Sequence, residues 1–225
     1  MEKMNVISIN SGYQTSDWKR FLKCWHDRYK EVHGSIDGSV ISKHDIASNF
    51  LPDIKLLEER IALNLPQSLR DFLSSYRPCE EWVKGGVRGF DSFMLPLSEI
   101  KYLREYDSKL YNVWASEEQA ASDDVYYRYG PEQDDAVFRS YQYEYLVVLG
   151  RTSLSDFIML NPCVRTADGE MEIVLHSSAS IHRTLSFSAM MRSIYCYECE
   201  SPDSYPPYKH EFLNSGCASI MYGNL

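Results

Sequence analysis

Apolar residues recur at helical spacing in two segments of the first third of the chain. In the first segment, one face would be formed by Trp18, Phe21, Leu22, Trp25 and Tyr29. A face so rich in aromatic residues is typical of a helix that packs against a core. Ser16 or Asp17 could cap this helix, and Gly34 is expected to end it.

The second segment predicts a shorter amphipathic helix, whose apolar face would contain Leu65, Leu69, Phe72, Leu73 and Tyr76. Asn64 is predicted to cap it, and Pro66 would lie in its first turn, where the missing N–H does no harm. Pro78 should prevent further extension. Residues 55–63 are good helix formers, so two short helices joined at Asn64 and Pro66 are predicted, with Pro52 interrupting the chain before them.

Strand-like patterns dominate the second half of the chain. The first predicted strand covers 141–149, because tyrosines alternate with polar residues there before an apolar run, and Gly150 should end it. A second strand covers 157–160 and is expected to stop at Asn161-Pro162. Asp168-Gly169 is a hairpin signal that leads into a third strand over 171–176. The short connections between these strands imply an antiparallel sheet.

Two further patterns lie on either side of this sheet. Residues 93–97 favour a short strand at an edge, because Pro96 cannot donate to a central ladder. Ser98 could then cap a helix through Ile100, Leu103 and Tyr106. After the sheet, Ser186 or Ser188 could cap a last helix. Its apolar residues would be Phe187, Met190, Met191, Ile194 and Tyr195.

The segment 115–135 differs in composition from the rest of the chain. Its acidic residues are Glu117, Glu118, Asp123, Asp124, Glu132, Asp134 and Asp135, its tyrosines are Tyr126, Tyr127 and Tyr129, and its one basic residue is Arg128. Gly130-Pro131 marks a turn, so a surface insertion or a long loop is predicted. One face of the strand that follows would carry Tyr141, Tyr143 and Tyr145. These tyrosines could extend the same surface or cover the sheet, and core packing is favoured for Tyr145.

The overall composition is that of a folded protein, because 17 Tyr, 9 Phe and 4 Trp occur among 225 residues. No apolar run approaches the length of a membrane span, and the first residues lack the basic and apolar segments of a signal peptide. We therefore expect a cytoplasmic protein without a membrane partner and with its six cysteines reduced.

The net charge of −9 disfavours nucleic-acid binding, which usually requires a basic surface. An acidic surface repels phosphates and attracts basic proteins. The same charge could serve only to keep the protein soluble.

A zinc site is the one metal site that the cysteines suggest. Cys196 and Cys199 form a CxxC that could be completed by His210 and Cys217. This spacing matches no established zinc pattern, and two cysteines three apart on a helix are explained equally well by burial. We therefore expect neither a metal nor a cofactor.

Catalysis would need either Cys163 with His176 or His182, or a carboxylate pair formed by Asp168 and Glu170. None of these residues lies in a recognisable nucleophile setting. Asp168 is explained by its turn, and Glu170 by an exposed position on the sheet. We therefore expect no catalytic residue.

Several short motifs occur in an order that resembles the SUKH superfamily, which includes fungal regulators of cell-wall synthesis and many bacterial immunity proteins. They fall within residues 56–195. The matching pieces are Leu65-Pro66 with Leu69, Phe72 and Leu73; Leu95 to Ile100; Leu146 to Gly150; Asp156 to Leu160; Asp168 to Glu170; and Ser186-Phe187. Family members usually place an Asn-Gly turn after the first helix, where this chain has Arg77-Pro78.

The resemblance implies an α+β domain over 51–200, with a mainly antiparallel sheet and flanking helices. Residues 1–50 would be a helical extension packed on it, and 201–225 a C-terminal tail. The resemblance also implies a non-catalytic binding protein. Bacterial members typically neutralise a toxin encoded beside them, often a nuclease or a deaminase. Fungal members scaffold signalling proteins, so a regulatory interaction module with no toxin partner is the alternative.

For an immunity protein, the expected partner is a basic toxin. The expected contact is the set of carboxylates and tyrosines in the acidic segment, because tyrosine supplies apolar area and a hydroxyl at low entropic cost. The alternative is that this segment is solvated and contacts nothing.

Overall fold

The computed structural model describes residues 5–13, 18–33, 51–75, 94–116, 121–151, 156–177 and 180–196, with Cys199, Cys217 and Ile220. The strands are β1 (Asn5–Val6), β2 (Lys101–Tyr102), β3 (Val147–Arg151), β4 (Phe157–Arg165), β5 (Met171–His176) and β6 (Ile181–Thr184). The α-helices are α1 (Trp18–His33), α2 (Leu51–Ile61), α3 (Gln67–Ser75), α4 (Leu103–Tyr106), α5 (Ser108–Ser116), α6 (Asp123–Tyr126) and α7 (Phe187–Tyr195). Two 3-10 helices cover Gly130–Glu132 and Ser140–Tyr145.

The strands form one six-stranded sheet in the order β2-β3-β4-β5-β6, in which all neighbours are antiparallel. β1 lies off this path and pairs in parallel with the end of β4, where Asn5 faces Val164. Helices flank the sheet. The fold is therefore α+β with a mainly antiparallel sheet, as predicted.

Both faces of the sheet are covered, which explains why nearly all of β4 is buried. On one face, Phe157 packs against Trp114 of α5, with ring centroids 5.8 Å apart. Ile158 and Leu160 alternate with Phe157 and so belong to the opposite face. Ile158 and Leu160 are fully buried too, and α7 contacts β5 and β6. A strand covered on both faces reads as a continuous apolar run rather than an alternating one.

The helices on the side of α7 are joined by an aromatic cluster. Its members are Trp18, Phe21 and Trp25 of α1, Phe72 of α3, and Phe187 and Tyr195 of α7. All six side chains are fully buried. Helix α1, predicted to lie in an N-terminal extension, thus contributes to the same core as α3 and α7. The predicted apolar faces of α1 and α3 are confirmed for the residues that the structure describes.

The boundaries of the first helices differ from the prediction because of their prolines. Pro52 lies in the first turn of α2 and does not interrupt the chain, since a proline there loses no hydrogen bond. Helix α3 begins at Gln67, and the carbonyl oxygen of Pro66 accepts from the Arg70 N–H at 3.0 Å. Asn64 is therefore two residues too early to be the cap, and it is exposed. Pro78 lies outside the described residues.

The predicted strands are partly wrong at their ends. Residues 140–145 form a 3-10 helix, so the three tyrosines share no strand face. Gly150 and Asn161-Pro162 lie inside strands, and the pairing of β4 with β5 is irregular between Asn161 and Arg165. The irregularity is what accommodates Pro162 within a central strand.

Before α4, the strand and the start of the helix were both predicted several residues too early in the chain. Met94 makes an isolated bridge to Gly150, and the strand itself is β2, seven residues later. Helix α4 starts only at Leu103, so Ser98 does not cap it. Phe93 lies outside the described residues.

The hairpin at Asp168-Gly169 is confirmed, and its carboxylates hold two distant segments. Gly169 adopts a φ of +87°, which favours glycine. Asp168 accepts from the Ser11 N–H at 3.0 Å and the Ser11 hydroxyl at 2.7 Å. Glu170 accepts from the N–H and hydroxyl of Ser68, in the first turn of α3, at 2.8 and 2.5 Å. Glu170 is buried, so the prediction that it lies exposed on the sheet is wrong.

The start of α7 is confirmed, because the Ser186 hydroxyl accepts from the Ala189 N–H at 3.2 Å. One expectation about the cysteines is wrong. Cys24 and Cys217 form a disulfide with their Cα atoms 5.6 Å apart, so these two are not reduced. No helix in the described parts of the chain is long and apolar enough to cross a membrane.

Candidate partner-binding surface

Over residues 121–135 the acidic segment is folded onto the edge of the sheet and contains α6 and a 3-10 helix, so of the two predicted alternatives it is closer to a surface insertion than to a long loop. The Gln133 side-chain amide accepts from the Arg183 N–H and donates to the Arg183 carbonyl oxygen, both at 2.8 Å. The Ile181 N–H donates to the Asp135 carbonyl oxygen at 2.6 Å. These bonds satisfy the outer edge of β6, whose backbone groups would otherwise lack partners.

Two tyrosines anchor the segment beneath its surface. The Tyr129 hydroxyl donates to Glu172 Oε1 at 2.7 Å, and the Tyr126 hydroxyl lies 3.0 Å from Glu172 Oε2 and 2.5 Å from Gln142 Oε1. Asn161 Nδ2 also donates to Glu172 Oε2, at 2.7 Å. Burial, and next the Glu172 carboxylate, raise the pKa of both tyrosines well above the ordinary value. Both phenols therefore stay protonated and able to donate.

The prediction that Tyr126 contacts a partner is wrong, because its side chain is fully buried. The Tyr129 hydroxyl also points into the protein, towards Glu172. Glu172 is the residue that sequence reasoning missed. Its one signal was a charged residue within the apolar pattern of β5, between Met171 and Ile173.

Arg183 supplies the opposite charge to this network. Its Nη1 lies 3.4 Å from Glu172 Oε1 and donates to the Tyr126 carbonyl oxygen at 2.5 Å. The guanidinium also lies over the Tyr126 ring, 4.1 Å from the ring centroid. Both charged side chains are fully buried. Loss of one partner of such a buried ion pair is strongly destabilising. The bond from Arg183 to the Tyr126 carbonyl oxygen therefore holds the segment against β6.

A second arginine organises the outer part of the segment. The Arg139 guanidinium pairs with Asp123, stacks on the Tyr126 ring at 4.4 Å, and approaches the Tyr127 hydroxyl at 3.4 Å. Burial alone would lower the pKa of Arg139, but its hydrogen bonds with Asp123 and Tyr141 raise that pKa above the ordinary value. Arg139 is therefore permanently charged, and it holds Asp123 in a defined position.

The surface above these anchors is acidic. Four of its acidic side chains are exposed to solvent, and we call them the exposed carboxylates: Asp123, Asp124, Glu132 and Asp134. The Asp123 side chain is 78% exposed, and Tyr141 is 51% exposed beside the same arginine. Tyr127 and Asp135 are half-buried. A hydrogen bond from Ser122, and next one from the backbone, lower the pKa of Asp124, so this carboxylate stays charged. Glu117 and Glu118 lie outside the described residues.

Of the residues considered for catalysis, Cys163, His176 and His182 are buried and electrically neutral. Burial raises the pKa of the Cys163 thiol to about 12. Burial lowers the pKa of His176 to about 4 and that of His182 to about 3. His176 stacks on Trp114, with ring centroids 3.7 Å apart, and its Nε2 lies 2.9 Å from the Tyr143 hydroxyl. A thiolate and imidazolium couple is therefore disfavoured at neutral pH.

The cysteines also assemble no ligand set in the part of the chain that is described. Cys196 and Cys199 are buried, and Cys217 is bonded to Cys24. Among the described residues, no three histidine, cysteine, aspartate or glutamate side chains converge in a way that could hold a metal. His210 lies outside these residues.

Comparison with protein-family models, with curated proteins and with solved structures gives no match to this chain. The resemblance to the SUKH superfamily therefore stays a prediction.

Proposed function

We propose that this protein is a non-catalytic binding protein of the immunity type, which neutralises a basic toxin by covering the cleft in which the toxin acts. The observation that carries the proposal is the pairing of an exposed acidic surface with a buried anchor. The exposed carboxylates stand on a segment fixed by Tyr126, Tyr129, Glu172 and Arg183. A surface that is ordered before binding loses less conformational entropy when the complex forms.

Charge and chemistry support the same reading. Toxins that cleave or modify nucleic acid need basic clefts, and carboxylates can occupy such a cleft in place of phosphates. Tyr141 adds exposed apolar area beside the arginine that pairs with Asp123, and tyrosine is enriched among the residues that carry binding energy at interfaces. The neutral, buried state of Cys163, His176 and His182 supports a binding role over a catalytic one.

The first experiment is co-expression with the product of the neighbouring gene. The proposal requires that the two proteins form a complex and that the complex suppresses the toxicity of the neighbour. Failure to bind or to protect against any neighbour-encoded toxin contradicts it. Binding to a non-toxic protein would instead support the regulatory interaction module.

A pair of charge reversals then locates the surface. In the test variant, Asp124→Lys is combined with Glu132→Lys, and in the matched control Glu59→Lys is combined with Glu99→Lys. All four residues are exposed, and both variants change the net charge equally. The test variant should weaken toxin binding by roughly tenfold or more and flatten its salt dependence. Equal affinities for the two variants would place the interface elsewhere.

A further inference from the structure

Tyr141 is oriented in an unusual way for an exposed tyrosine. A surface tyrosine normally packs its ring against the protein and keeps its hydroxyl in water. Here the hydroxyl accepts from Gln142 Nε2 at 3.3 Å and from the Arg139 guanidinium, and Gln142 is fully buried. Since Tyr141 is nevertheless 51% exposed, the part of it that solvent reaches is mainly the ring.

The bonds to the hydroxyl also hold the ring in place. Arg139 is itself fixed, because it pairs with Asp123 and lies over the Tyr126 ring. Turning Tyr141 away would break its bonds with Arg139 and Gln142. A ring that is held before binding loses little conformational entropy when a partner covers it. An exposed apolar ring in a fixed position is therefore well suited to contact with another molecule.

Two exposed carboxylates accompany this ring. Glu144 follows three residues later in the same 3-10 helix, where side chains at this spacing share a face and lie about 6 Å apart along the axis. Its carboxylate is 3.7 Å from exposed Arg104, and such surface pairs contribute little to stability. Asp123, which is 78% exposed, adjoins the arginine that holds the hydroxyl.

An aromatic ring accompanied by carboxylates favours one side chain above others. The face of an aromatic ring attracts cations, and a planar guanidinium can stack on it. The N–H donors of the guanidinium lie in its plane, so they can reach carboxylates beyond the edge of the ring. Arg139 does not fill this place, because it binds the hydroxyl of Tyr141 and stacks on Tyr126 instead.

We propose that the exposed ring of Tyr141, with Asp123 and Glu144, is a subsite for an arginine side chain of the basic partner. The inference rests on the proposed function and names the chemistry by which the acidic surface recognises the toxin. The guanidinium of the partner stacks on the ring and donates to both carboxylates, and at Glu144 it takes the place of Arg104.

The first test uses N-acetyl-arginine amide as the probe and needs no toxin. Ring signals of isotope-labelled tyrosine are followed by NMR at constant ionic strength, and the Tyr141 signal is assigned by its loss in Tyr141→Phe. The probe should shift this signal saturably, whereas N-acetyl-citrulline amide, its neutral isostere, should not. The absence of a saturable shift, or an equal shift with citrulline, overturns the proposal. So does equal or tighter binding of N-acetyl-lysine amide.

A carboxylate variant tests the charged part of the subsite with the same probe. Glu144→Gln should weaken binding of N-acetyl-arginine amide by roughly threefold or more, because one acceptor loses its charge. The matched control is Glu59→Gln on α2, since Glu59 is also exposed, and it should leave the titration unchanged. Equal affinities for these two variants would remove Glu144 from the subsite and overturn the proposal as stated.

The second test measures affinity for the toxin. Tyr141→Ala should weaken binding by roughly thirtyfold, as expected for a central aromatic contact. Tyr141→Phe keeps the ring and should lose at least threefold less affinity than Tyr141→Ala. The control is Leu56→Ala on α2, where an exposed apolar side chain is removed without effect on binding.

The two tests separate this inference from the proposed function. A toxin that binds the parent protein, Tyr141→Ala and Leu56→Ala equally well overturns the subsite and leaves the proposed function standing. Equal losses for Tyr141→Ala and Tyr141→Phe also overturn it, because the ring would then contribute nothing. If no toxin binds at all, the proposed function fails, and the titration with N-acetyl-arginine amide still decides whether the subsite exists.

Discussion

Replacing Arg183 by methionine tests whether the buried ion pair holds the acidic segment in place. The substitution keeps most of the side-chain volume and removes the charge opposite Glu172. Losing one partner of a buried pair typically costs about 3–5 kcal/mol. Glu172 would keep hydrogen-bonding contacts with Tyr126, Tyr129 and Asn161, which reduces the penalty. Arg183 Nε and Nη2 are buried without hydrogen-bond partners, and the change to methionine removes the free-energy cost of burying these two polar atoms.

We therefore expect Arg183→Met to lower the free energy of unfolding by about 3 kcal/mol, at the lower end of that range. Urea denaturation followed by circular dichroism measures this difference. The matched control is Arg104→Met, because Arg104 is exposed and lies 3.7 Å from Glu144 in a surface pair. The control should change stability by less than about 1 kcal/mol.

The same variant should also weaken partner binding without altering any exposed carboxylate, because the segment that carries them loses its anchor. Equal stability losses for Arg183→Met and Arg104→Met would refute the reasoning. A folded Arg183→Met variant that bound its partner with unchanged affinity would also refute it.

Two further effects on stability follow from buried groups. His176 has a folded pKa of about 4, below its ordinary value of 6.5, so the unfolded chain gains a proton first as the pH falls. Protonation of His176 should thus lower stability by up to about 3 kcal/mol between pH 6.5 and pH 4, in addition to the loss from buried His182 over the same range. Urea denaturation of His176→Gln at both pH values should show a smaller decline than the parent protein, and an equal decline would contradict this role. Ser68→Ala removes one bond to the buried Glu170 carboxylate and should cost about 1.5–3 kcal/mol by the same assay, whereas exposed Ser98→Ala should cost almost nothing. A Ser68→Ala loss matching the control would show that this bond contributes nothing.

The apolar faces of α1 and α3, the start of α7 and the hairpin could be predicted because their signals are local. The spacing of Trp18 to Tyr29, the cap at Ser186 and the turn at Asp168-Gly169 each depend on residues within a few positions of one another. Strand ends were less predictable. Asn161-Pro162 would normally end a strand, but here it lies within β4, where the pairing with β5 is irregular between Asn161 and Arg165. Tyr141 to Tyr145 alternate as in a strand, yet Tyr143 becomes buried from a 3-10 helix instead.

The acidic segment shows why a candidate site is harder to predict than a helix. Composition predicts one surface for its carboxylates and tyrosines and does not show which of them are buried. Which side chains of the segment become buried depends on Glu172 and Arg183. These two residues lie about 50 residues later in the sequence and contact Tyr126 only when β5 and β6 have paired. A lone charge in an apolar strand, as at Glu172, demands buried partners, and tyrosines elsewhere in the chain are suitable donors. Tyr126 and Tyr129 therefore belong to the buried anchor, and the exposed carboxylates are the part of the segment that we propose contacts a partner.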